Sequence, residues 1–488
     1  MRLLVIGLDG AAPDLLFGDE RLGNVRRLME GGCYGRLETI IPPITVPAWM
    51  CMATSQDPGS LGVYGFRNRA DHSYDGLAIA NARSIRELAV WDQVAREGKR
   101  ANIIGVPPGY PPRKVNGISV GCFLTPDSRT DEYALPPSVK ATIADLVGDY
   151  PVDVREFRTH RKDWLREEIY AMSKKHFAVV RHFLRHSEWD YFQFVEIGLD
   201  RLQHGFWKFH DPDHVLHEPD NPHRTVIRDY YAYLDDELGS ILDLLDEETA
   251  VLVLSDHGAQ RLDGGFCVNE WLVREGLLAL ERYPRTVTPF ADLPVRWERT
   301  RAWSDGGYYA RVFLNVKGRE PTGTIDPADY ERFRDDLKVR LEALTDDRGR
   351  RLGTLVFKPE EIYKSVRNVA PALIVHFGAL AWRSIGGVGY PTLHVRENDT
   401  GPDDCNHAQY GGFILAAPGS PLRGELAGAH IMHMAPTLLE LGGYDLPTAM
   451  QGTSLLGGRG LGAAERPAVP PDGEAIIRER LRGLGYIS

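Results

Sequence analysis

Short apolar runs alternate with segments of helical periodicity along most of the chain. The segment 226–245 repeats apolar residues at helical spacing. The runs that are typical of buried strands are residues 3–8, 101–106, 191–197, 251–255 and 413–419. Strands that alternate with helices favour a parallel sheet covered by helices on both faces. The pattern therefore predicts an α/β fold, with a mainly parallel central sheet between two helical layers.

The pattern changes between residues 265 and 396, where short strands flank a helix expected at 327–344. We assign 265–396 to an inserted cap subdomain over the carboxyl ends of the strands, and 1–264 with 397–456 to the main core. Residues 457–488 begin rich in Gly, Pro and Ala and end in EAIIRERLRGLGYI. This composition predicts a linker followed by a C-terminal docking segment.

Polar side chains directly follow three predicted strands, where open α/β sheets place ligand groups. A further histidine lies far downstream. These residues are Asp9 after LLVIGL, Asp200 and His204 after YFQFVEI, Asp256 and His257 after VLVLS, and the downstream His407. Three carboxylates and three imidazoles are enough for two divalent metal ions. The donor types favour Zn, with Mn or Fe as alternatives.

Asp200 and His204 are one helical turn apart, so both side chains can face one ion. This spacing is also common in surface pairs, and residues at strand ends often serve as turn or capping residues. The same feature occurs at three strand ends, which favours metal ligands over these alternatives.

Thr45 lies in IPPITVPAWMCMATS, a segment that changes from extended chain to helix. Pro47 suits the first helical position, so Thr45 is expected just ahead of the helix. Free backbone N–H groups and the helix dipole favour a phosphate there. A metal-coordinated threonine hydroxyl is a candidate nucleophile. The alternative interpretation is that Thr45 simply caps the helix.

Composition excludes some classes of function. The formal net charge of −11 and the pI near 5.8 argue against a protein that coats nucleic acid. The five cysteines include no C-x-x-C pair, which favours reduced thiols and a cytoplasmic location. No apolar run is long enough to cross a bilayer, and MRLLVIGLDG is expected to be a buried strand rather than a signal peptide. The oligomeric state is not predicted.

The chain resembles the type I phosphodiesterase and nucleotide pyrophosphatase branch of the alkaline phosphatase superfamily from about Arg2 to Leu456. The motifs that carry the resemblance are VIGLDG, PPITVPAWMCMATSQDPGSLGVYGF, GLDRLQH, LSDHG and CNHAQYGGFILAAPG. The resemblance implies an alkaline-phosphatase-like three-layer sandwich. It also implies that Thr45 attacks phosphorus, and it divides the metal ligands into two sets: Asp9, Thr45, Asp256 and His257 for one ion, and Asp200, His204 and His407 for the other.

The chain also differs from the family that it resembles. Phe66 falls where nucleotide-cleaving relatives carry a phosphate-contacting asparagine, and Arg67 or Asn68 are candidate substitutes. The nucleophile segment lacks the C/S-x-P-x-R motif of the sulfatase branch, which argues against sulfate esters.

Other residues have a weaker case for a chemical role. Three loop histidines are candidates for a third metal site, with solvated residues as the alternative: His210, His214 and His217. His376 is expected to be a hydrogen-bonded core imidazole, and neither His394 nor His433 receives a role. Arg311 and Lys317 are candidate anion contacts or strand-edge charges. The charged run 155–175 is expected to be a solvated helix face.

The predicted function is metal-dependent hydrolysis of a small phosphate ester, a phosphodiester or nucleotide pyrophosphate, through a covalent phospho-threonine at Thr45. One alternative is a phosphomonoesterase or phosphotransferase with the same two-metal core. A second alternative is a catalytically silent metal-binding protein.

Overall fold

The computed structural model describes residues 1–457. Numbered in chain order, the strands in this range are β1 Arg2–Leu8, β2 Cys33–Glu38, β3 Arg67–Arg69, β4 Leu77–Ile79, β5 Ala101–Ile104, β6 Ser119–Val120, β7 Ala134–Leu135, β8 Tyr191–Glu196, β9 Thr249–Leu254, β10 Gly258–Arg261, β11 Gly264–Cys267, β12 Ala302–Asp305, β13 Ala310–Leu314, β14 Leu355–Phe357, β15 Leu373–His376, β16 Trp382–Ile385, β17 His394–Val395, β18 Cys405–Ala408, β19 Tyr410–Ala416, β20 Gly424–Glu425 and β21 Ala429–His430.

The α-helices in the same range are α1 Pro13–Gly18, α2 Gly23–Gly31, α3 Thr45–Thr54, α4 Pro58–Leu61, α5 Val90–Arg96, α6 Pro137–Val147, α7 Lys162–His186, α8 Gly198–His210, α9 Val226–Leu242, α10 Val268–Arg274, α11 Tyr330–Glu342, α12 Pro359–Ile362 and α13 Met434–Gly442. Short 3₁₀ helices occupy Ala82–Ser84, Phe290–Asp292, Trp297–Arg299, Pro327–Asp329, Phe377–Leu380 and Ile431–His433.

The central sheet has the strand order β20-β2-β19-β9-β1-β8-β5-β6-β7, and β21 also pairs with β2. Strands β9, β1, β8, β5 and β6 run parallel to one another, whereas β19 is antiparallel to both β2 and β9, and β7 is antiparallel to β6. The sheet is therefore mixed, although its central part is parallel as predicted. The expected return of residues 413–419 to the main sheet is β19.

Successive side chains of β1 point to opposite faces of the sheet, and each face is buried in its own hydrophobic cluster. Leu4 and Ile6 pack in a cluster with residues of α7, α8 and α9, whereas Leu3 and Val5 pack in a cluster with residues of α3, α5 and α13. Two apolar faces on one sheet require a helical layer on each side. The predicted three-layer sandwich is confirmed.

The chain forms two compact units. The first consists of Met1–Arg67, Ile79–Arg261 and the chain from Pro402 to the end of the described range, and it contains the central sheet. The second consists of Asn68–Ala78 and Leu262–Gly401. The position of the second unit as a cap over the first stays a prediction.

The second unit has its own core around the antiparallel sheet β12-β13-β15-β14 and helices α10 and α11. Helix α11 starts later than predicted because the Asp326 side chain caps a 3₁₀ turn at Ala328 N. Residues 68–78 belong to this unit through Arg69, whose guanidinium pairs with the buried Glu320 at 3.1 Å, and through Tyr74, whose ring stacks on Trp297 at 3.6 Å. The sequence pattern did not predict this association.

All five cysteines are buried and free. The predicted cytoplasmic location stays a prediction. Within residues 1–457 no helix combines the length and hydropathy needed to span a bilayer. The predicted linker and docking segment, 457–488, lies outside the described residues apart from Gly457.

Candidate metal centre

The six predicted ligands lie close together although they are far apart in the chain. Strands β1, β8 and β9 are parallel neighbours, so the residues that follow them meet at one edge of the sheet. Asp200 and His204 lie one turn apart in α8. His407 lies on β18, where it pairs with Ala259, two residues beyond His257. The pairing of β10 with β18 therefore brings the distant histidine to the strand ends.

The six side chains are buried and form two groups. Within each group, one ligand atom of every residue lies within 4.8 Å of the others. The first group is Asp9, Asp256 and His257. The second group is Asp200, His204 and His407.

The two groups adjoin one another. In the first, His257 Nε2 is 3.3 Å from Asp256 Oδ2 and 3.6 Å from Asp9 Oδ1. In the second, Asp200 Oδ1 is 3.3 Å from His204 Nε2 and 3.8 Å from His407 Nε2. The rings of His257 and His407 stack with their centroids 3.7 Å apart. This division of the ligands is the one that the family resemblance implies.

Thr45 is the first residue of α3 and is 4% exposed. Its Oγ1 lies 3.2 Å from His257 Nε2, beside the first group. The N-cap position belongs to Ile44, which makes no side-chain cap hydrogen bond. The helix thus begins two residues earlier than Pro47 suggests, and the alternative of Thr45 as the capping residue is wrong. Its hydroxyl contacts His257 of the first group instead.

The three imidazoles present the same nitrogen to the site. His257 Nδ1 lies 3.0 Å from the Gly258 carbonyl oxygen, and His407 Nδ1 lies 2.8 Å from that of Pro43. A carbonyl oxygen can only accept, so each Nδ1 carries the hydrogen and donates it. His204 Nδ1 likewise lies 2.6 Å from an oxygen of Asp403. In each ring Nε2 therefore keeps its lone pair toward the group, as a metal ligand requires.

The carboxylates of the first group are poorly stabilised by the protein alone. Burial raises the pKa of Asp9 well above its ordinary value, and the nearby Asp200 raises it further. Burial and the nearby Asp9 likewise raise the pKa of Asp256. Asp9 Oδ1 and Asp256 Oδ2 are buried and accept no hydrogen bond from the described residues. Buried oxygens of this kind are costly without a partner, and a cation would supply one.

The second group differs in its electrostatics. Burial alone would raise the pKa of Asp200, but the contacts with His204 and the Arg201 guanidinium lower it well below its ordinary value. Burial lowers the pKa of His257 to about 4, and burial with the adjacent His257 lowers that of His407. Neutral imidazoles and buried carboxylates are the donor set of zinc-type ions, so the residues fit a metal site.

Contacts around the ligands include side chains that the sequence pattern did not indicate. Arg201 Nη1 donates to Asp200 Oδ2 at 2.6 Å, and Trp49 Nε1 donates to Asp9 Oδ2 at 2.9 Å. Asp403, which bonds His204, accepts a 2.9 Å hydrogen bond from Arg158 Nε. The expectation that charges in 155–175 form only a solvated helix face is therefore wrong. Arg158 precedes α7 and bonds a buried carboxylate.

The remaining candidate histidines have other contacts. His214 Nε2 and His217 Nδ1 lie 3.0 and 2.8 Å from the backbone carbonyls of Asp404 and Lys208. Among residues 1–457 only the two groups above bring three ligand atoms together, so a third metal site with His210 is not supported. His376 is buried as expected, but its Nε2 has no hydrogen-bond partner in the described chain, so the expected hydrogen-bonded state is wrong for that atom.

The other weak candidates are explained by local contacts. His394 Nδ1 lies 2.6 Å from Asp347 Oδ1, and His433 Nδ1 accepts from the backbone N–H of His430 at 3.1 Å. Arg311 pairs with Asp305 at 3.0 Å, whereas Lys317 is exposed. Phe66 is half-buried, and its ring packs edge-on against Phe123 with centroids 6.0 Å apart. None of these contacts tests nucleotide specificity.

Comparisons with known proteins extend these observations. Residues 3–403 match the family model described as type I phosphodiesterase / nucleotide pyrophosphatase. A search of curated proteins found no match.

Several solved structures share the fold. Murine ectonucleotide pyrophosphatase / phosphodiesterase 5 aligns at 13% identity over 93% of this chain and 98% of its own, with a TM-score of 0.54. Its inactive threonine-to-alanine variant in complex with AMP aligns at 13% identity over 93% and 97%, with a TM-score of 0.52. Phosphonoacetate hydrolase from Sinorhizobium meliloti 1021, in complex with phosphonoformate, aligns at 14% identity over 90% and 95%, with a TM-score of 0.59.

The family match covers most of the chain, and the neighbours are hydrolases with the same α/β fold over nearly their whole length. The predicted fold and the predicted class of phosphoric ester hydrolase are confirmed. The chain belongs to the type I phosphodiesterase / nucleotide pyrophosphatase family.

Proposed function

We propose that the protein hydrolyses a phosphodiester or nucleotide pyrophosphate, with Thr45 as nucleophile beside two divalent metal ions, most simply Zn. The observation that carries this proposal is the position of the Thr45 hydroxyl, 3.2 Å from His257 Nε2, a nitrogen that also adjoins two buried carboxylate oxygens with no hydrogen-bond partner among residues 1–457. The AMP complex of the inactive threonine-to-alanine variant of the murine relative supports a nucleotide-type ester as substrate.

Each group would hold one ion. In each group the three ligand atoms lie within 4.8 Å of one another, and the Thr45 hydroxyl lies 3.2 Å from His257 Nε2 of the first group. Two ions bound by these residues would lower the pKa of the Thr45 hydroxyl and would neutralise the negative charge on the phosphoryl oxygens. The negative charge that three buried carboxylates concentrate there makes cations the fitting partners.

The residues then act as follows. Thr45 Oγ1 gives its proton to water and forms a bond to phosphorus while the bond from phosphorus to the leaving oxygen breaks, and the leaving alcohol or nucleoside phosphate takes a proton back from water. Water next attacks phosphorus from the opposite side, the Oγ1–phosphorus bond breaks, and Thr45 regains its proton. Thr45 begins α3, and Pro47 has no N–H while that of Ala48 bonds the Ile44 carbonyl at 3.0 Å, so the backbone N–H groups of Thr45 and Val46 are the donors that would stabilise the charge of the phosphoryl oxygens.

Thr45→Ala tests the proposal. We expect turnover of bis-p-nitrophenyl phosphate by the Zn-loaded protein to fall by about a thousandfold or more, because the covalent route is lost. Thr54→Ala is the matched control at the other end of α3, where the hydroxyl bonds the Met50 carbonyl at 2.8 Å. Its turnover is expected to stay within about twofold of wild type, because it removes one ordinary hydrogen bond.

Mass spectrometry after acid quenching should find phosphate on the peptide that contains Thr45 in wild type and not in Thr45→Ala. Faster turnover of the diester than of p-nitrophenyl phosphate would support a diesterase, whereas the reverse would support the monoesterase or phosphotransferase alternative. Full metal loading with no cleavage of either ester would leave the silent metal-binding alternative.

A further inference from the structure

The segment 153–158 lies between α6 and α7 and contacts the second group from outside. Three of its side chains make these contacts, although the segment is outside any helix or strand. They are Asp153, Phe157 and Arg158. Each contacts a candidate ligand directly or through one intermediate residue, so this short stretch of chain supports two of the three members of the second group, Asp200 and His204.

The first chain of contacts ends on His204. Arg158 Nε donates to Asp403 Oδ2 at 2.9 Å, and Asp403 Oδ1 accepts from His204 Nδ1 at 2.6 Å. The side chains of Asp403 and His204 are 0% and 1% exposed. The other two ligand imidazoles donate to neutral backbone carbonyls instead. A carboxylate that accepts from the Nδ1–H of a ligand histidine fixes its tautomer and ring orientation and raises the basicity of Nε2.

The second chain of contacts ends on Asp200. Asp153 accepts two hydrogen bonds from Arg201, at 2.8 Å from Nε and 3.0 Å from Nη2, and Arg201 Nη1 donates to Asp200 Oδ2 at 2.6 Å. The Phe157 ring lies 4.6 Å from the Arg201 guanidinium carbon and 6.0 Å from the His204 ring. A guanidinium with fixed donors and an aromatic neighbour has little freedom to move, so it holds Asp200 in one orientation.

We propose that Asp153, Phe157 and Arg158 together with Asp403 form a brace that sets the metal affinity of the second group independently of the first. The inference rests on the proposed function, because it assumes that the second group holds an ion. The first group is contacted by Trp49 and by the backbone of Gly10 and Gly258, none of which belongs to the brace. In this scheme Asp403 is a positioning residue, because it acts on the ion only through His204.

The test is a stepwise Zn²⁺ titration of the full-length metal-free protein against a chromophoric chelator. In wild type we expect two binding steps. Asp403→Asn should weaken one step by about 10–100-fold, as loss of such a partner usually does, and leave the other within about twofold. Glu156→Gln is the matched control, because it makes the same change at an exposed carboxylate in the same segment. Its two affinities should equal those of wild type.

Thermal unfolding of the metal-free variants separates local from global effects. If Asp403→Asn does not fold, Arg158→Gln carries the test, since Arg158 is partly exposed and its loss leaves Asp403 in place. That variant should weaken the same single step several-fold. Unchanged affinities in the folded variants, or equal losses in both steps, would overturn the brace while leaving the proposed function intact. Wild-type protein that binds fewer than two ions would overturn the proposed function itself.

Discussion

The two ligand groups lie side by side, yet the protein surrounds them differently. Asp9 and Asp256 in the first group accept from neutral donors, the Trp49 indole and the Gly10 backbone N–H. Asp200 in the second group accepts from a guanidinium, that of Arg201. The pKa values follow this difference: burial raises those of Asp9 and Asp256, whereas contacts with His204 and Arg201 outweigh burial and lower that of Asp200.

This difference indicates that the two groups have different roles. Among residues 1–457 no Lys or Arg bonds the carboxylates of the first group, so their charge would be compensated by a bound ion, and the proposed nucleophile Thr45 lies beside this group. In the second group Arg201 donates to Asp200 at 2.6 Å, so part of the carboxylate charge is compensated by the protein itself. A site with one group of each kind combines a strongly activating position with a preorganised one.

The largest expected effect is on catalysis by the first group. Asp256→Asn keeps the shape of the side chain but removes a ligand charge, and metal-ion catalysis contributes several kcal/mol to the barrier. We therefore expect kcat for bis-p-nitrophenyl phosphate to fall by about a thousandfold or more. Asp235→Asn is the control, because Asp235 is a buried carboxylate that accepts from the backbone N–H groups of Asn24 and Val25 at the start of α2.

Asp235→Asn should lower stability but leave kcat within about twofold of wild type, since its contacts lie in the α2–α9 region. Equal losses of kcat in the two variants would show that any buried carboxylate has this effect. The distinction between the first group and ordinary buried carboxylates would then be wrong.

The next effect is on the stability of the metal-free protein, and it should have opposite signs in the two groups. Asp256→Asn resembles the protonated carboxyl that burial favours, so we expect the free energy of unfolding at neutral pH to rise by about 1 kcal/mol. Asp200→Asn leaves the buried Arg201 with less compensation, so we expect a loss of about 3 kcal/mol.

Urea unfolding of both metal-free variants measures the difference. In excess Zn²⁺ wild type should become more stable than Asp256→Asn, because only wild type gains stability from a fully liganded ion. Changes of the same sign in the two metal-free variants would contradict the proposed difference in charge compensation.

Five of the six candidate ligands were predictable from sequence because each follows a strand with a clear apolar run, whereas His407 lies within the short strand β18. Asp9, Asp256 and His257 lie where parallel strands end. Asp200 and His204 are one turn apart in the helix that follows β8. The three-layer fold follows from the same runs, since strands that are apolar on both faces need helices on both sides.

The residues that hold the ligands carry no such signal. Asp403 lies in an irregular segment between β17 and β18, and Arg158 stands in a charged run that is typical of a solvated helix. The two side chains are 245 positions apart in the chain and meet only through the tertiary fold. Residues 68–78 were likewise unpredictable, because their attachment depends on Arg69 and Tyr74 in an otherwise polar loop.

The smallest expected effect is on the pH dependence of stability. It distinguishes an imidazole of the ligand groups from one that is only buried in the core. His257 and His376 both have a lowered pKa because of burial, to about 4 and about 3. The unfolded chain takes up a proton near the ordinary value of about 6.5. Stability contributed by the neutral folded imidazole is therefore present above that value and is lost as pH falls toward the folded pKa.

His376→Phe removes this loss at one position of β15 without touching the ligand groups. We expect the variant to gain roughly 2 kcal/mol relative to wild type between pH 7 and pH 5, in metal-free and metal-loaded protein alike. Metal-loaded wild type should lose additional stability over the same range, because protons compete with the ions for the ligand imidazoles. Urea unfolding at the two pH values measures both contributions. If His376→Phe also removed the metal-dependent part, His376 would have to be coupled to the ligand groups, and burial alone would no longer distinguish it from His257.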